Sequence, residues 1–390
     1  MTNPNTPVQQ GIEAVFPPEE FAARMAKAQA AMQSNGIDVL IVTGPENIFY
    51  LTGQQTPGYY TYQALLVPLD GEPVFIVREL EMHNLVANSY LSSLEAYPDN
   101  ADPVAVTLET IDKQGWRNRR FALDKRGWFL PIAVYEALSQ GLGSIADSAG
   151  LIERIRVVKS PRELEKIETA AGYVERGMQA GMAAVKAGAT ENDLVAAMMG
   201  TAIAAGSEYV GMEPLVSSGP RSGVPHGTWR RRQIEPGDPV FLEMAACHDR
   251  YHAVLMRSAW IGQPDAQASA MLDCCLDALD AALDKVRPGS TCADVHNACQ
   301  TVIDKAGFTD NYRKRTGYSI GTAFAPDWGE GALLSLYHDV HAELEAGMAF
   351  HIPPALRRYG EFTVGVSETV IVTETGHKTL SKIPRGMLII

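Results

Sequence analysis

The sequence predicts a two-domain chain, with a smaller α/β domain at residues 1–155 and a larger α+β domain at residues 156–390. Three observations predict it. Helix-like, strand-like and turn-forming segments alternate up to about residue 150, as in a compact α/β unit. The texture changes at Ser160–Pro161. There an N-cap serine, a proline at the first helical position and Glu163 three residues on form a capping box. Beyond it, long helical stretches are interspersed with strand-like runs, the texture of helices packed on antiparallel sheet.

In the first domain, Pro18–Asn35 reads as a helix ended by Gly36, a natural C-cap residue. DVLIVTG is a short apolar run stopped by Gly44 and Pro45, and it reads as a buried strand. ENIFYLTG, YQALLVPL, EPVFIVR and NRRFALD read as further short strands. In the second domain a helix begins at Pro161 and another at Thr190, where Asp193 repeats the capping pattern. ASAMLDCCLDALDAALDKV and CADVHNACQTVIDKAG are the next two helices. DPVFLEMAAC, HAVLMRSAW, AGMAFHI and VSETVIVTE read as strands.

A length of 390 residues is enough for two packed cores, and 46% hydrophobic residues suit a globular chain. A formal charge of -13 repels nucleic acid and anionic membranes. The opening MTNPNTPVQQ is polar, and no apolar run reaches the roughly 18 residues of a membrane span. The cysteines are Cys247, Cys274, Cys275, Cys292 and Cys299, an odd number with no CxxC spacing. That is a poor disulfide framework. The expectation is a cytoplasmic protein with no nucleic-acid or membrane partner.

PGDPVFLEMAACHDRYHAVLMRS, TGYSIG and SETVIVTETG stand in the order and spacing of the M24 peptidase-like family. SGPRSGVPHG is similar to the segment that carries that family's active-site histidine. The chain resembles this family over nearly its whole length. Members include methionine aminopeptidase, aminopeptidase P, prolidase, creatinase and ectoine hydrolase. The resemblance implies a pita-bread catalytic domain behind a creatinase-type N-terminal domain. It also implies a homodimer in which one subunit's small domain helps close the other's site, with the loop Gly58–Gln63 the candidate contact.

Metal-dependent members hold two divalent ions with two aspartates, a histidine and two glutamates. Carried onto this chain, the first aspartate falls on Glu243 and the second, eleven residues on, on Val254. The histidine falls on Tyr318, the next glutamate on Pro353, and the last survives as Glu368. Valine and proline side chains cannot ligate a metal, and two carboxylates cannot hold a dinuclear pair. The expectation is a site with no metal and no cofactor. His248, His252 and His351 lie nearby in sequence, in a spacing that matches no metal signature.

Creatinase resembles this chain at His226 but has a substrate-holding glutamate where this chain has Met256. GYSIGTAFAPDWGEGALLSL is similar to the corresponding segment of ectoine hydrolases. So are FLEMAACHDRYHAVLMRS, GMAFHIPP and VGVSETVIVTETG. The first-domain stretch GQQTPGYYTYQ departs from theirs, lacking a tryptophan. This resemblance implies a metal-independent hydrolase of a C–N bond in a small zwitterionic or amidine substrate. The leading expectation is ectoine-type ring opening to an N-acetylated diamino acid. The alternatives are a metal-dependent Xaa-Pro dipeptidase, a creatinase-like amidinohydrolase, and a binding protein without turnover.

By the resemblance Glu243 is the nucleophile, and His226 and Glu368 complete the catalytic set. A carboxylate can both pair with an amidinium and attack its central carbon. Histidine moves protons near neutrality. Glu368 would hold an amidine N–H or activate water. Asp327 would pair with the second nitrogen, and Trp328 would stack on the flat cation. Tyr318, Tyr251, His252, His351 and Arg257 complete the candidate substrate-binding set.

Each residue also has a plainer reading. Glu243 lies in the run FLEMAA, with Leu242 and Met244 expected on the other face, and a structural pair with Arg257 would satisfy it. His226 in its glycine-rich loop could be a surface hydrogen-bonding group. Asp327 could cap the turn after Pro326. Trp328, Tyr251 and Tyr318 could simply pack, and Arg257 could be an anchor.

Overall fold

Capping chemistry and apolar alternation account for most elements of the computed structural model, which describes residues 8–390. The chain divides into one unit ending at Arg156 and a second spanning Val157–Ile390.

The first unit is built on a six-stranded mixed sheet. Its order is Leu94–Tyr97, Val74–Arg78, Ala64–Pro68, Val39–Val42, Phe121–Leu123, Ile145–Asp147. The central strand is buried on both faces, and its side chains alternate between two cores. Leu40 and Val42 join Met32, Ile48 and Leu51 on one side. Val39 and Ile41 join Val104, Ile111 and Leu138 on the other. The opening helix is Pro18–Ser34, with Gly36 at φ 67° turning the chain away.

One expectation is corrected here. ENIFYLTG was expected as a strand, but Pro45–Thr52 is a helix. Pro45 takes the first helical turn, and Gly53 closes the helix at φ 84°. A short run that is apolar on every side has no period that separates helix from strand. The flanking proline and glycine carry the signal instead.

In the second unit the Ser160–Glu163, Thr190–Asp193 and Thr291–Asp294 capping boxes start the helices Pro161–Ala184, Glu191–Ala205 and Cys292–Lys305. Asp265 caps Ala266–Leu283. The strands Pro239–His248 and Tyr251–Trp260 pair antiparallel over ten residue pairs. Leu215–Ser218 and Leu388–Ile389 extend this pair to a four-stranded sheet. The turn between the long strands holds Asp249 and Arg250 at φ 48° and 67°. Two consecutive left-handed residues match the twist of a tight hairpin. Arg250 offsets their strain by donating to the carbonyls of Tyr209 and Ala323 at 2.8 and 3.0 Å.

A five-stranded sheet orders Ser335–Leu336, Gly317–Ser319, Ala349–Ile352, Glu368–Val372 and His377–Thr379. Each sheet is backed by a helix pair. Leu242, Met244 and Leu255 pack with Val174, Met178, Leu194 and Met198. Phe350, Ile352 and Val370 pack with Met271, Leu279, Val295 and Ile303. All five cysteines are buried and unpaired, and no helix among the described residues is long and apolar enough to cross a membrane.

The two sheets are tied by polar side chains. Thr369 Oγ1 takes the Val254 N–H at 3.0 Å and donates to the Val254 carbonyl at 2.9 Å. Ser367 Oγ takes the Met256 N–H at 2.8 Å. Arg257 is fully buried and donates to the carbonyls of Met256, Ser367, Ile383 and Pro384. It also reaches Glu368 Oε1 at 3.2 Å. Removing it strands several carbonyls and a buried carboxylate. Arg257→Met is expected to lower stability by about 3–5 kcal/mol in urea unfolding. A loss below about 1 kcal/mol would show that the tie is dispensable.

Candidate functional site

Strand alternation decides which residues can build a site. Leu242, Met244 and Ala246 face the helix-backed core. Phe241, Glu243 and Ala245 therefore face the other way, together with Val254 and Met256 of the partner strand. Leu215, Trp328, Ala355 and Tyr318 complete an apolar ring on that side. Glu243 is 9% exposed, and its carboxylate takes no hydrogen bond or ion pair among the described residues. Burial raises its pKa, while Lys314 and Arg357 pull it back down.

These two cations were absent from the sequence-derived set. Arg357 is turned toward Glu243 by strand alternation, and Lys314 comes from the bend before the strand Gly317–Ser319. In Arg313–Lys314–Arg315 the outer pair is engaged elsewhere. Arg313 lies over the Tyr359 ring at 5.3 Å and Arg315 over the Tyr318 ring at 4.7 Å. Arg315 also donates to Gly331 O at 3.0 Å and Ser335 Oγ at 2.9 Å. Lys314, half-buried between them, is pushed down to about 8 by burial and by Arg357, against the opposite pull of Glu243. In the strand Ala355–Arg358, Leu356 belongs to the other core, so Ala355 and Arg357 face the Glu243 ring. Asn311 Nδ2 donates to Arg357 O at 2.7 Å and fixes the Lys314 segment to this strand.

His226 follows the turn Gly219–Gly223 and holds φ 55°. A non-glycine residue there is strained, a feature that concentrates at working sites. Gly223 explains how its loop reaches the site. A Cβ on Gly223 would sit 2.7 Å from Arg358 O, and Gly360 N donates to Gly223 O at 3.2 Å. The loop thus lies against the hairpin that carries Arg357. The His226 ring reaches solvent, yet partial burial, Arg357 and Lys314 all lower its pKa, with Asp327 opposing. The imidazole is neutral at neutral pH.

Asp327 is exposed and its Oδ1 takes the Gly329 N–H at 3.0 Å, the turn-capping bond. Its backbone rests on Gly211, where a Cβ would come within 1.9 Å of Asp327 O. Trp328 is buried, and its indole N–H donates to Tyr318 Oη at 2.8 Å. Tyr318 Oη lies 2.9 Å from His351 Nδ1. Indole can only donate, so the tyrosine oxygen accepts from Trp328, and its own proton is available to His351 Nδ1. Burial, Lys314, Arg257 and Arg315 keep this imidazole neutral. His351 Nε2 is buried without a partner. Phe350 and Ile352 face the core, so His351 faces the site side of its strand.

The remaining candidates have structural partners. Tyr251 is fully buried and donates to Glu163 Oε1 at 2.8 Å. His252 is fully buried, accepts from Gly211 N at 3.0 Å and donates from Nδ1 to Arg250 O at 2.9 Å. Burial lowers its pKa to about 3, so it is neutral. Arg257 is the inter-sheet tie described above. Glu368 gives Oε1 to Arg257 at 3.2 Å and to Arg385 at 3.0 Å, while Oε2 is buried without a bond. Burial raises its pKa against those two guanidiniums. The structure therefore gathers Glu243, His226, Asp327, Tyr318, Trp328 and His351 with Lys314 and Arg357.

The positions corresponding to metal ligands do not fit a dinuclear centre. Val254 belongs to the apolar ring, and Pro353 offers no donor. Tyr318 oxygen is held by Trp328 and His351, and Glu368 by two guanidiniums. Among the described residues no group of three or more His, Cys, Asp or Glu side chains is placed to hold an ion.

Two helix-backed sheets enclosing such a site define a pita-bread catalytic domain, here accompanied by a creatinase-type N-terminal unit. Residues 165–374 match the model of metallopeptidase family M24, and residues 24–158 match the creatinase/prolidase N-terminal domain. The chain belongs to the M24 family and is a hydrolase of that family. It is similar to ectoine hydrolase from Halomonas elongata, with 29% identity over 96% of this chain and 98% of the relative. Dipeptidase PepE from Mycobacterium ulcerans superposes with a TM-score of 0.82 and 25% identity, covering 96% of this chain and 99% of that one. A prolidase from Thermococcus sibiricus has the same fold, with a TM-score of 0.86 and 22% identity over 95% and 99% of the two chains.

The raised pKa of Glu243 sets a pH dependence. A carboxyl whose folded pKa lies above its unfolded value favours folding below about 4.5, and that contribution is lost as pH rises through the folded value. Ionising Glu243 in the folded protein is therefore a cost. Glu243→Gln is expected to melt at or above the wild-type temperature at neutral pH, with the gap closing toward pH 4.5. Thermal melts across pH check this; a variant several degrees less stable at neutral pH would contradict it.

Proposed function

We propose that this M24 hydrolase opens an ectoine-type cyclic amidine without a metal ion, with Glu243 as nucleophile. The observation that carries the reading is a buried carboxylate with no hydrogen-bond partner, ringed by apolar side chains and flanked by cations. A poorly solvated carboxylate is reactive and gains most from an incoming amidinium. Lys314 and Arg357 oppose the upward push that burial gives its pKa. The similarity to ectoine hydrolase supports the substrate class, and the donor set described above supports metal independence.

The amidinium pairs with Glu243, whose oxygen adds to the carbon between the two nitrogens. The adduct is neutral and tetrahedral. Neutral His226 takes a proton from the nitrogen that is retained and delivers one to the nitrogen that departs. The ring C–N bond breaks, leaving an imidate carbon esterified to Glu243. Water adds to that carbon, and the bond to Glu243 breaks. The proton released passes through His226 to the free amine. The product is an N-acetylated diamino acid, and the carboxylate is restored. Tyr318, fixed by Trp328, orients His351 so that its unpaired Nε2 meets a ring nitrogen of the tetrahedral adduct, whose lone pair forms only on addition.

Mass spectrometry of chelator-treated protein with ectoine, hydroxyectoine, creatine and a proline dipeptide tests the reading. The expected result is a gain of one water on ectoine or hydroxyectoine alone. Glu243→Gln is expected to lower that turnover by at least about 10³-fold. Dipeptide cleavage that appears only when a divalent ion is restored would overturn the proposal.

A further inference from the structure

Two cations of the site make no direct polar contact of their own, and that describes the other end of the ligand. Lys314 and Arg357 both act on Glu243, yet the side chain of neither makes a hydrogen bond or ion pair among the described residues. Arg357 Nε is buried and unpartnered. Their chain neighbours are engaged. Arg313 and Arg315 lie over Tyr359 and Tyr318, and Arg358 pairs with Glu361 at 2.6 Å. Buried donors are normally satisfied, so the unpartnered Nε of Arg357, facing a site, points to an absent acceptor.

The formal charges point the same way. Glu243 and Asp327 bring two negative charges, Lys314 and Arg357 two positive ones, and neutral His226 none. A ligand carrying only an amidinium would set three cations against two carboxylates. A ligand carrying an amidinium and a carboxylate leaves three of each.

We infer that Lys314 and Arg357 grip a carboxylate on the substrate and so make the site selective for a zwitterion over a bare cation. The inference rests on the reading that Glu243 meets the amidine end. The guanidinium supplies a planar fork suited to both carboxylate oxygens, and the lysine a point charge beside it. The bond from Asn311 to the Arg357 carbonyl holds the two cation-bearing segments in register.

The test compares ectoine with its carboxamide, in which only the carboxylate charge is removed. Calorimetric binding is measured on Glu243→Gln, which does not turn over, and hydrolysis on the otherwise unaltered protein. Ectoine is expected to bind about 10- to 100-fold more tightly than the carboxamide. Arg357→Leu and Lys314→Met are each expected to shrink that ratio toward one while leaving carboxamide binding little changed. Arg357→Lys retains part of the ratio, and Arg358→Leu retains all of it. Hydrolysis of ectoine with a ratio that neither substitution moves would overturn the inference and leave the reaction standing. An Arg357-dependent ratio without hydrolysis would do the reverse. Failure of both compounds to bind at millimolar concentration overturns the inference, because two unpaired cations that ignore a carboxylate form no cradle.

Discussion

The hairpin Pro239–His248/Tyr251–Trp260 sets the geometry on which the catalytic unit depends. Side chains on paired strands alternate strictly between two faces. One face, with Leu242, Met244 and Leu255, is covered by helices. The other, with Phe241, Glu243, Val254 and Met256, is left for chemistry. A one-residue slip would exchange the two sets and place a carboxylate in the helix core. Register is held by the tight Asp249–Arg250 turn and by Ser367 and Thr369, which bond the hairpin's backbone from the second sheet.

Within that frame the environment of Glu243 is a balance of opposed effects. Burial favours the neutral acid, and two cations favour the carboxylate. Burial and Lys314, joined by Arg357 at His226 and by Arg257 and Arg315 at His351, hold both imidazoles in the neutral form. Lys314 thus acts on all three groups. The arrangement is built from segments far apart in the chain, joined by the close approach at Gly223 and the Asn311 bond.

A shared fold here hosts an altered site. The chain belongs to a family described as metallopeptidases and superposes on prolidases, yet at the positions that the resemblance assigns to that family's ligands Val254 lies in the apolar ring and Pro353 offers no donor. Tyr318 is the centre of a Trp328–Tyr318–His351 hydrogen-bond chain. Glu368 is joined through Arg257 to the inter-sheet tie. Function follows from such side chains and not from the scaffold that presents them.

Much of this was legible in the sequence. The capping boxes at Ser160 and Thr190, the long strands and the run of motifs around Glu243, His226 and Tyr318 define a two-domain pita-bread chain. They could do so because caps, periodicity and motif spacing are local properties. Pro45–Thr52 escaped because a segment buried on every side has no period. Tertiary structure alone decided which polar groups meet. Tyr251 and His252 lie close in sequence to Glu243, but their polar atoms bond Glu163, Gly211 and Arg250. Lys314 and Arg357 lie far from it in sequence and are brought to it by packing. Which of several adjacent cations turns inward depends on strand faces and ring contacts that form only when distant segments pack, and sequence order does not encode those distances.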